Sequence, residues 1–330
     1  MKISVAMCTY NGARYLREQL ESIAAQGRLP DELVVCDDRS SDSTREIIKE
    51  FASSSPFAVR LHNNERNLGS TKNFERAIGL CEGELIALSD QDDVWSPLKL
   101  RRIEERFARE PGAGLVFTDA EVVDEELRPL GYRLWESVGF DRAHRKLVRE
   151  GRALDVLLPG WTVTGATLAF RSRFKNLVLD IPEDLALIHD GWIALLIASV
   201  ADVSFIEEPL VKYRQHARQQ IGARERKTER VTGAAARLGG VREAIGRPTS
   251  YTEMIEIGSR ARSRLAERRE AYNCHEALAR LDARLKHLRA RASLPEGKLS
   301  RARCVLKELL SRRYHLYSNG VYSAVKDLLA

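Results

Sequence analysis

Leu88-Ser89-Asp90-Gln91-Asp92-Asp93-Val94-Trp95 is the stretch on which the reading of this chain turns. The apolar run 85–88 ends in three carboxylates within four positions. A short apolar run bounded by polar turns reads as a buried strand. Acidic side chains at the carboxyl end of a parallel strand stand where open α/β sheets bind ligands. Three such carboxylates repel one another unless a cation lies among them. Mg2+ and Mn2+ take oxygen ligands, and Mg2+ commonly bridges carboxylates to a substrate's phosphates. The plainer reading is an acidic turn before the helix that starts near Pro97, because Asp and Ser are ordinary turn and cap residues.

Upstream the pattern of that strand repeats. The apolar runs at 3–8 and 33–36, together with 59–62, predict three more strands. Between them lie helical spacings: Tyr15, Leu16, Gln19, Leu20, Ile23 and Ala24, then Ile47, Ile48 and Phe51, then Phe74, Ala77, Ile78 and Cys81. Strands alternating with helices at this interval imply βαβ units and a parallel sheet. Downstream, an amphipathic helix runs to about residue 109, and a strand over 114–118 ends at Asp119. A turn is expected at 124–131, and irregular chain over 132–160 with a helix near 147–157. A strand over 161–170 is broken by Gly165. His189-Asp190 introduces an apolar helix over 193–200, and two short strands follow at 203–205 and 210–213.

The chain carries 53 Lys+Arg against 47 Asp+Glu, a net charge of +6. The balance is uneven. Residues 221–330 hold 24 basic and 12 acidic residues, whereas 1–220 hold 29 basic and 35 acidic. An acidic front and a basic, Arg-rich, helical back suggest two functional parts. No apolar stretch reaches the length of a membrane-spanning helix, so none is expected. The five cysteines are widely spaced and form no CxxC pair. With a start too short for a signal peptide, they make a reducing cytoplasm the expected location.

Four predicted strand ends carry polar loops on one sheet edge: Thr9-Tyr10-Asn11, Asp37-Asp38, the loop 67–73, and Asp90 to Asp93. There is no G-x-G-x-x-G after the first strand and no G-x-x-x-x-G-K-[ST]. The two common backbone phosphate cradles are therefore absent. Carboxylates and a metal are the expected means of holding a nucleotide.

This arrangement resembles the family 2 glycosyltransferases of the GT-A fold over roughly 1–220. The likeness rests on Thr9-Tyr10-Asn11, Asp37-Asp38-Arg39-Ser40-Ser41-Asp42, Asn67-Leu68-Gly69, Asp90-Gln91-Asp92-Asp93, Thr164-Gly165, His189-Asp190 and Tyr213-Arg214-Gln215-His216, in that order. The stretch 89–95 is similar to bacterial enzymes of cell-surface polysaccharide assembly, several of them rhamnosyltransferases. The resemblance implies a Rossmann-like, mostly parallel sheet, with a nucleotide-sugar half at 1–118, an acceptor half at 119–220 and a basic helical region at 221–330. Thr9, Tyr10 and Asp38 would line the base pocket, with Asn11, Asn67 and Lys72 nearby. Asp90 and Gln91 would face the ribose. Asp92 would hold Mg2+ or Mn2+, with His216 as a second ligand. Asp190 would be the general base, and Asp119, Gly165 and His189 would lie on the acceptor side.

The implied reaction is inverting transfer of a sugar from dTDP-L-rhamnose or a UDP-sugar to a saccharide or lipid-linked acceptor. Glycosyl transfer needs charge neutralised on the departing diphosphate, which a divalent ion supplies. It also needs a base for the acceptor hydroxyl. One base opposite the leaving group gives inversion, by the logic of inverting hydrolases. The Q-x-x-R-W sequence of processive synthases is absent, so one sugar per encounter is expected. Plainer readings stand beside these. Asp190 can cap the following helix, His189 can be structural, His216 can be a surface histidine, and Asp119 can be a turn residue; Lys72 and Arg214 can touch phosphate, with a solvated face as the default for both.

Two other functions compete. A nucleotidyltransferase making nucleotide sugars would carry a Gly-rich loop after the first strand, where this chain has a single glycine, Gly12. A non-catalytic protein would bind an anionic membrane or nucleic acid through the basic back. Nucleic acid ranks below membrane, since no aromatic stacking platform accompanies the Arg runs. Peripheral attachment to the inner face of the cell membrane would suit a lipid-linked acceptor.

Overall fold

Strand and helix alternate from the start: β1 (Ile3–Thr9), α1 (Leu16–Ala24), β2 (Glu32–Asp37), α2 (Thr44–Ser54), β3 (Ala58–Asn63), α3 (Gly69–Leu80) and β4 (Leu85–Ser89). The computed structural model describes residues 1–158, 162–217, 219, 222 and 250–329. Trp161, the expected boundary at 220/221 and the Arg-rich stretch 223–249 lie outside the described residues. The chain forms two units, Met1–Glu183 with Leu187–Lys227, and Asp184–Ala186 with Thr228–Ala330.

In the first unit β1 pairs in parallel with β2 and with β4, and β2 pairs in parallel with β3. Beyond β4 the sheet is mixed. It continues through β8 (Leu168–Arg171), β6 (Ala113–Val123), β9 (Asp202–Arg214) and β5 (Val94–Trp95), with β7 (Pro129–Arg133) on β6. Residues alternate between faces along a strand. Ile3, Val5 and Met7 of β1 join one apolar cluster with Leu16, Leu20 and Ile23 of α1 and with Leu100, Ile103 and Phe107 of α4 (Lys99–Arg109). α3 covers the other face of β1 and β2. Both faces are thus buried, which is why the strand sequences read as continuous apolar runs.

The back half departs from expectation in three places. The two short strands expected at 203–205 and 210–213 are one strand of 13 residues. Its pairing with β6 steps from Thr118↔Ile206 to Asp119↔Pro209, so Glu207 and Glu208 form a bulge and Pro209 needs no ladder bond. The turn expected at 124–131 is tighter, and β7 begins at Pro129. Over 132–160, where one helix near 147–157 was expected in otherwise irregular chain, lie three short helices, α5 (Leu134–Val138), α6 (Arg142–Arg149) and α7 (Ala153–Leu157). Trp135, Phe140, Phe117 and Phe205 make an edge-to-face cluster beneath them. α8 (Lys175–Val178) and α9 (His189–Ala198) complete the unit.

The second unit is helical: α10 (Tyr251–Glu267), α11 (His275–Ala292), α12 (Lys298–Leu310), α13 (Arg313–Tyr317) and α14 (Val321–Leu329). Ser250 and Glu253 cap α10 reciprocally. Polar pairs tie α11 to the last three helices. His287 touches Glu308 and Ser318, both at 2.9 Å, and Arg291 grips Asp327 at 2.6 and 2.8 Å. Among the described residues no helix is long and apolar enough to cross a membrane.

Candidate active site

The strand order places β1 between β2 and β4. The chain leaves β1 in one direction toward β2 and β3, then returns on the other side as β4. Open α/β sheets bind ligands in the crevice at such a switch point. Here the loops after β1, β2 and β4 meet and are stitched together. Gln91 Nε2 donates to the Tyr10 carbonyl at 3.0 Å, and its Oε1 accepts from Tyr10 N–H at 2.8 Å. A Cβ on Gly12 would fall 2.1 Å from that Oε1, so glycine alone leaves room for the amide. Asn11 takes a left-handed conformation, φ +47°. Its Oδ1 accepts from Ser41 N–H at 2.8 Å and its own N–H donates to Ser40 Oγ at 2.9 Å.

At the end of β2 each carboxylate accepts three hydrogen bonds. Asp37 accepts from Thr9 Oγ1 at 2.9 Å, Ser40 N–H at 2.9 Å and Ser40 Oγ at 2.5 Å. Asp38 accepts from Asn64 Nδ2 at 2.6 Å, Leu68 N–H at 2.7 Å and Gly69 N–H at 2.9 Å. It therefore pins the loop that leads into α3. Asn67 reinforces the loop by accepting from Gly69 N–H at 3.1 Å. Lys72 pairs with Glu75 at 3.1 Å. Of Thr9, Tyr10 and Asp38, only Tyr10 presents its side chain to solvent, at 51% exposure.

At the end of β4 the situation reverses. Asp93 is fully buried. Its Oδ1 accepts from Arg214 N–H at 3.0 Å, while its Oδ2 has no hydrogen-bond partner. Burial raises its pKa, and the charges of Asp92 and Asp90 add to the rise. Asp90 is pushed up to about 7 by burial, then by Asp92 and by Asp190. Asp190 is thus near enough for its charge to be felt at Asp90. Asp92 meets His216, whose Nε2 lies 2.8 Å from its Oδ2. The His216 ring leans on Tyr15, centroids 4.9 Å apart.

Two basic side chains underlie this cluster; the sequence offered Arg214 as a phosphate contact or a solvated residue and did not single out Lys99. Arg214 is 1% exposed. Its Nε donates to the Asp92 carbonyl at 2.7 Å, its other guanidinium nitrogens reach Glu125 O and the Glu18 carboxylate, and it stacks over Tyr15 at 4.6 Å. Lys99 is fully buried, with Nζ 3.5 Å from the Trp95 ring centroid and 2.6 Å from the Ala166 carbonyl. Burial lowers its pKa, and Asp93 and Asp90 oppose that. The signal for Lys99 was its spacing. It stands four and eight residues before Ile103 and Phe107, on the buried stripe of α4. No comparable signal marked Arg214, because its burial comes from tertiary packing.

Asp190 sits in the first turn of α9, one residue past its start, and does not cap it from outside. Its Oδ2 accepts from Gly165 N–H at 2.9 Å and its Oδ1 from Gly191 N–H at 2.6 Å. Gly165 lies so close that an added Cβ would sit 3.1 Å from His189 Nε2. His189 itself is buried and stacked on Phe74 at 4.2 Å, and burial lowers its pKa. Asp119 accepts from Ala120 N–H at 2.8 Å and Trp135 N–H at 3.1 Å, anchoring the start of α5. Burial pushes it up to about 6.

The donor set fits a divalent ion bound partly by substrate. Among the described residues no three His, Cys, Asp or Glu side chains converge as a closed cage. The Asp92–His216 pair offers one oxygen and one nitrogen ligand, and Asp90 stands among like charges that a cation would relieve. Mg2+ typically uses one or two carboxylates and leaves its other positions to phosphate and water.

A mixed sheet with this switch point and carboxylates at its strand ends is that of the GT-A nucleotide-diphospho-sugar transferases. It overlays, for example, on Staphylococcus aureus TarS solved with UDP-GlcNAc, with TM-score 0.58 at 17% identity over 94% of this chain and 81% of that one. A mannosyltransferase of Pyrobaculum calidifontis, solved with GDP-Man and Mn2+, overlays with TM-score 0.52 at 18% identity, over 94% and 75%. Residues 4–171 match the family model for glycosyl transferase family 2, and the chain belongs to that family. It is 28% identical to the dTDP-rhamnosyl transferase RfbG of Shigella flexneri over 66% of this chain and 74% of RfbG. It also matches uncharacterised mycobacterial proteins, of whose length it spans 59%.

Proposed function

We propose that this glycosyltransferase moves a sugar from a nucleoside diphosphate donor, dTDP-L-rhamnose or a UDP-sugar, to a hydroxyl of a saccharide or lipid-linked acceptor, with inversion, in cell-surface polysaccharide assembly. The observation that carries the reading is the pair of unlike carboxylate sites close together. Asp90, Asp92 and Asp93 crowd together at the end of β4, where burial and the Asp92 charge push Asp90 and Asp93 toward protonation, and Asp190 is fixed nearby by two backbone N–H groups. Asp92 and His216 would hold Mg2+ or Mn2+. That ion supplies charge neutralisation on the departing diphosphate.

The chain's own groups do the rest. The Tyr10 ring, exposed above the stitched loop, offers a face for the base. Three of the roughly four lone-pair positions of the Asp38 carboxylate are occupied, leaving one for an imide N–H. Asp190 takes the proton of the acceptor hydroxyl as its oxygen attacks the anomeric carbon. The bond to the diphosphate oxygen breaks on the opposite face. Asp119 and His189 shape the acceptor side, and Gly165 positions the base. The likeness to RfbG supports a rhamnosyl donor, and the GDP-Man and Mn2+ bound in the Pyrobaculum enzyme support a metal-held nucleotide sugar. The front unit, 1–220, does the chemistry. The basic back, 221–330, works at an anionic membrane surface on the cytoplasmic side, where a lipid-linked acceptor is held.

Incubation with a panel of nucleotide sugars and acceptor lipids, with Mn2+ and with a chelator, tests this. Chelator-sensitive release of UDP or dTDP with sugar on the acceptor is expected. Release of pyrophosphate from a nucleoside triphosphate and a sugar phosphate would replace the reading with a nucleotidyltransferase.

A further inference from the structure

Helices α12 and α14 are inverted relative to ordinary surface helices. A soluble helix turns its apolar stripe inward and its charges outward. On α12 the buried positions include Glu308, which pairs with His287 and Arg313, while Leu299, Leu306 and Leu310 are 84%, 54% and 75% exposed. On α14 the buried positions are Ser323, Ala324 and Asp327, the last held by Arg291 and the Tyr314 hydroxyl. Val321, Val325, Leu328 and Leu329 face out. The inward faces meet in a small core of Val305, Tyr314 and Ala324.

Charge follows the same inversion. Residues 298–329 contain seven Lys and Arg and two carboxylates, Glu308 and Asp327. Both carboxylates are the buried ones. What is left outside is leucine and valine interspersed with Lys298, Arg303, Lys307, Arg312 and Lys326, all exposed. An exposed apolar stripe marks an interaction surface, and one rimmed by cations matches the interface of an anionic bilayer. A second copy of the chain fits less well, because a two-fold contact sets a patch against itself and would oppose like charges. Nucleic acid would engage the cations but leave the leucines in water.

We infer that the outward faces of α12 and α14 are a membrane-docking surface, with Leu299, Leu306, Leu310, Val325 and Leu329 entering the acyl boundary and the neighbouring Lys and Arg side chains meeting anionic headgroups. The inference rests on the reading of the basic back as a membrane-facing part and names the face.

The test uses the full chain, sedimented with vesicles of phosphatidylcholine alone or mixed equally with phosphatidylglycerol. Partition into the mixed vesicles only, fading as salt rises, is expected. Leu306→Asp with Leu310→Asp should lower the bound fraction about tenfold at low salt, since charged groups are excluded from the acyl region. Arg303→Gln with Lys307→Gln should keep binding at low salt and lose it at a lower salt concentration than the parent. These side chains are exposed, and melting curves confirm the fold. Should the leucine pair fail to fold, Leu299→Asp at the first turn of α12 replaces it. Equal partition of parent and leucine variant overturns the proposal. So does absence of partition by the parent, or a dimer of the parent that the leucine variant splits without any vesicle binding. Mn2+-dependent UDP binding is measured on the same samples without lipid. Its absence alongside intact vesicle binding overturns the glycosyltransferase reading and leaves the docking face standing.

Discussion

The ends of β2 and β4 lie side by side with β1 between them, and both carry consecutive or near-consecutive aspartates. Their environments are opposite. Asp37 and Asp38 each accept three hydrogen bonds from side-chain and backbone donors. Asp90 and Asp93 are pushed toward the protonated state by burial and by the charge of Asp92, and Asp93 keeps an oxygen with no partner. A carboxylate whose lone pairs are filled by its own loop builds structure. A carboxylate left buried, crowded by like groups and under-bonded is a place for a ligand to bind. Residue type and strand position are the same in both, so the hydrogen-bond count separates scaffold from site.

The largest effect expected from this contrast is at Asp190, which lies near the under-bonded cluster. Asp190→Asn keeps an oxygen for Gly165 N–H and turns its amide toward Gly191 N–H, a loss near that of one ordinary hydrogen bond, about 1 kcal/mol. Turnover should fall by a factor on the order of 10²–10⁴, the usual worth of a positioned base. Donor affinity should stay near the parent value. Single-turnover transfer beside a donor titration measures both. Transfer at the parent rate would leave Asp190 as a strut between α9 and Gly165.

Next comes Lys99, the buried cation beneath the β4 cluster. Lys99→Met preserves shape over Trp95 but removes the charge that opposes the rise at Asp90 and Asp93. Removing one partner from a buried charge group typically costs roughly 3–5 kcal/mol. Urea unfolding should show a loss of that order. An unchanged midpoint would mean that water already neutralises the cluster and that the contrast with β2 is weaker than drawn.

Much of this contrast was legible in the sequence, but unevenly. The front half of the fold was, because strands buried on both faces and helices with one apolar stripe leave clear periodicities. β5 is only Val94–Trp95, too short for any pattern, and β9 hid behind Glu207-Glu208-Pro209, which read as a break and is a bulge. The acidic cluster was conspicuous because nothing in its own segment neutralises it. Its two cations were not, since Lys and Arg are by default at the surface. Lys99 betrayed itself only by its register with Ile103 and Phe107. The latching roles of Gln91 and Asp38 depend on backbone groups of other loops, which no local pattern encodes.

A third expected effect is smaller. Asp92→Ala removes a partly exposed carboxylate that contacts His216 at 2.8 Å. Stability should hold, while Mn2+-dependent UDP binding weakens by roughly 10–100-fold, the scale on which changes around a metal site act. Calorimetry with and without Mn2+ reads this directly. Unchanged metal-dependent affinity would move the ion to Asp90 and Asp93.

The smallest effect, and the sharpest check on the comparison, is Asp38→Asn. At β2 the same loss of charge should act on structure. The retained oxygen can still accept from Asn64 and Leu68, which share Oδ1, while the new amide turns a donor toward Gly69 N–H. That N–H keeps Asn67 Oδ1 at 3.1 Å as a second acceptor. The cost should therefore be near that of one ordinary hydrogen bond, about 1 kcal/mol. For a unit of this size that is a fall in melting temperature of about 2–4 °C. If the remaining lone pair of Asp38 also reads an imide N–H, UDP affinity should drop roughly fivefold, the equivalent of one such bond, while GDP affinity holds. Melting curves and paired UDP and GDP titrations separate the two contributions. Parallel loss of both nucleotides would show that Asp38 acts only by holding the 64–69 loop. A melting temperature that does not move, with UDP affinity lost, would make β2 a binding site like β4 and erase the distinction between filled and unfilled carboxylates.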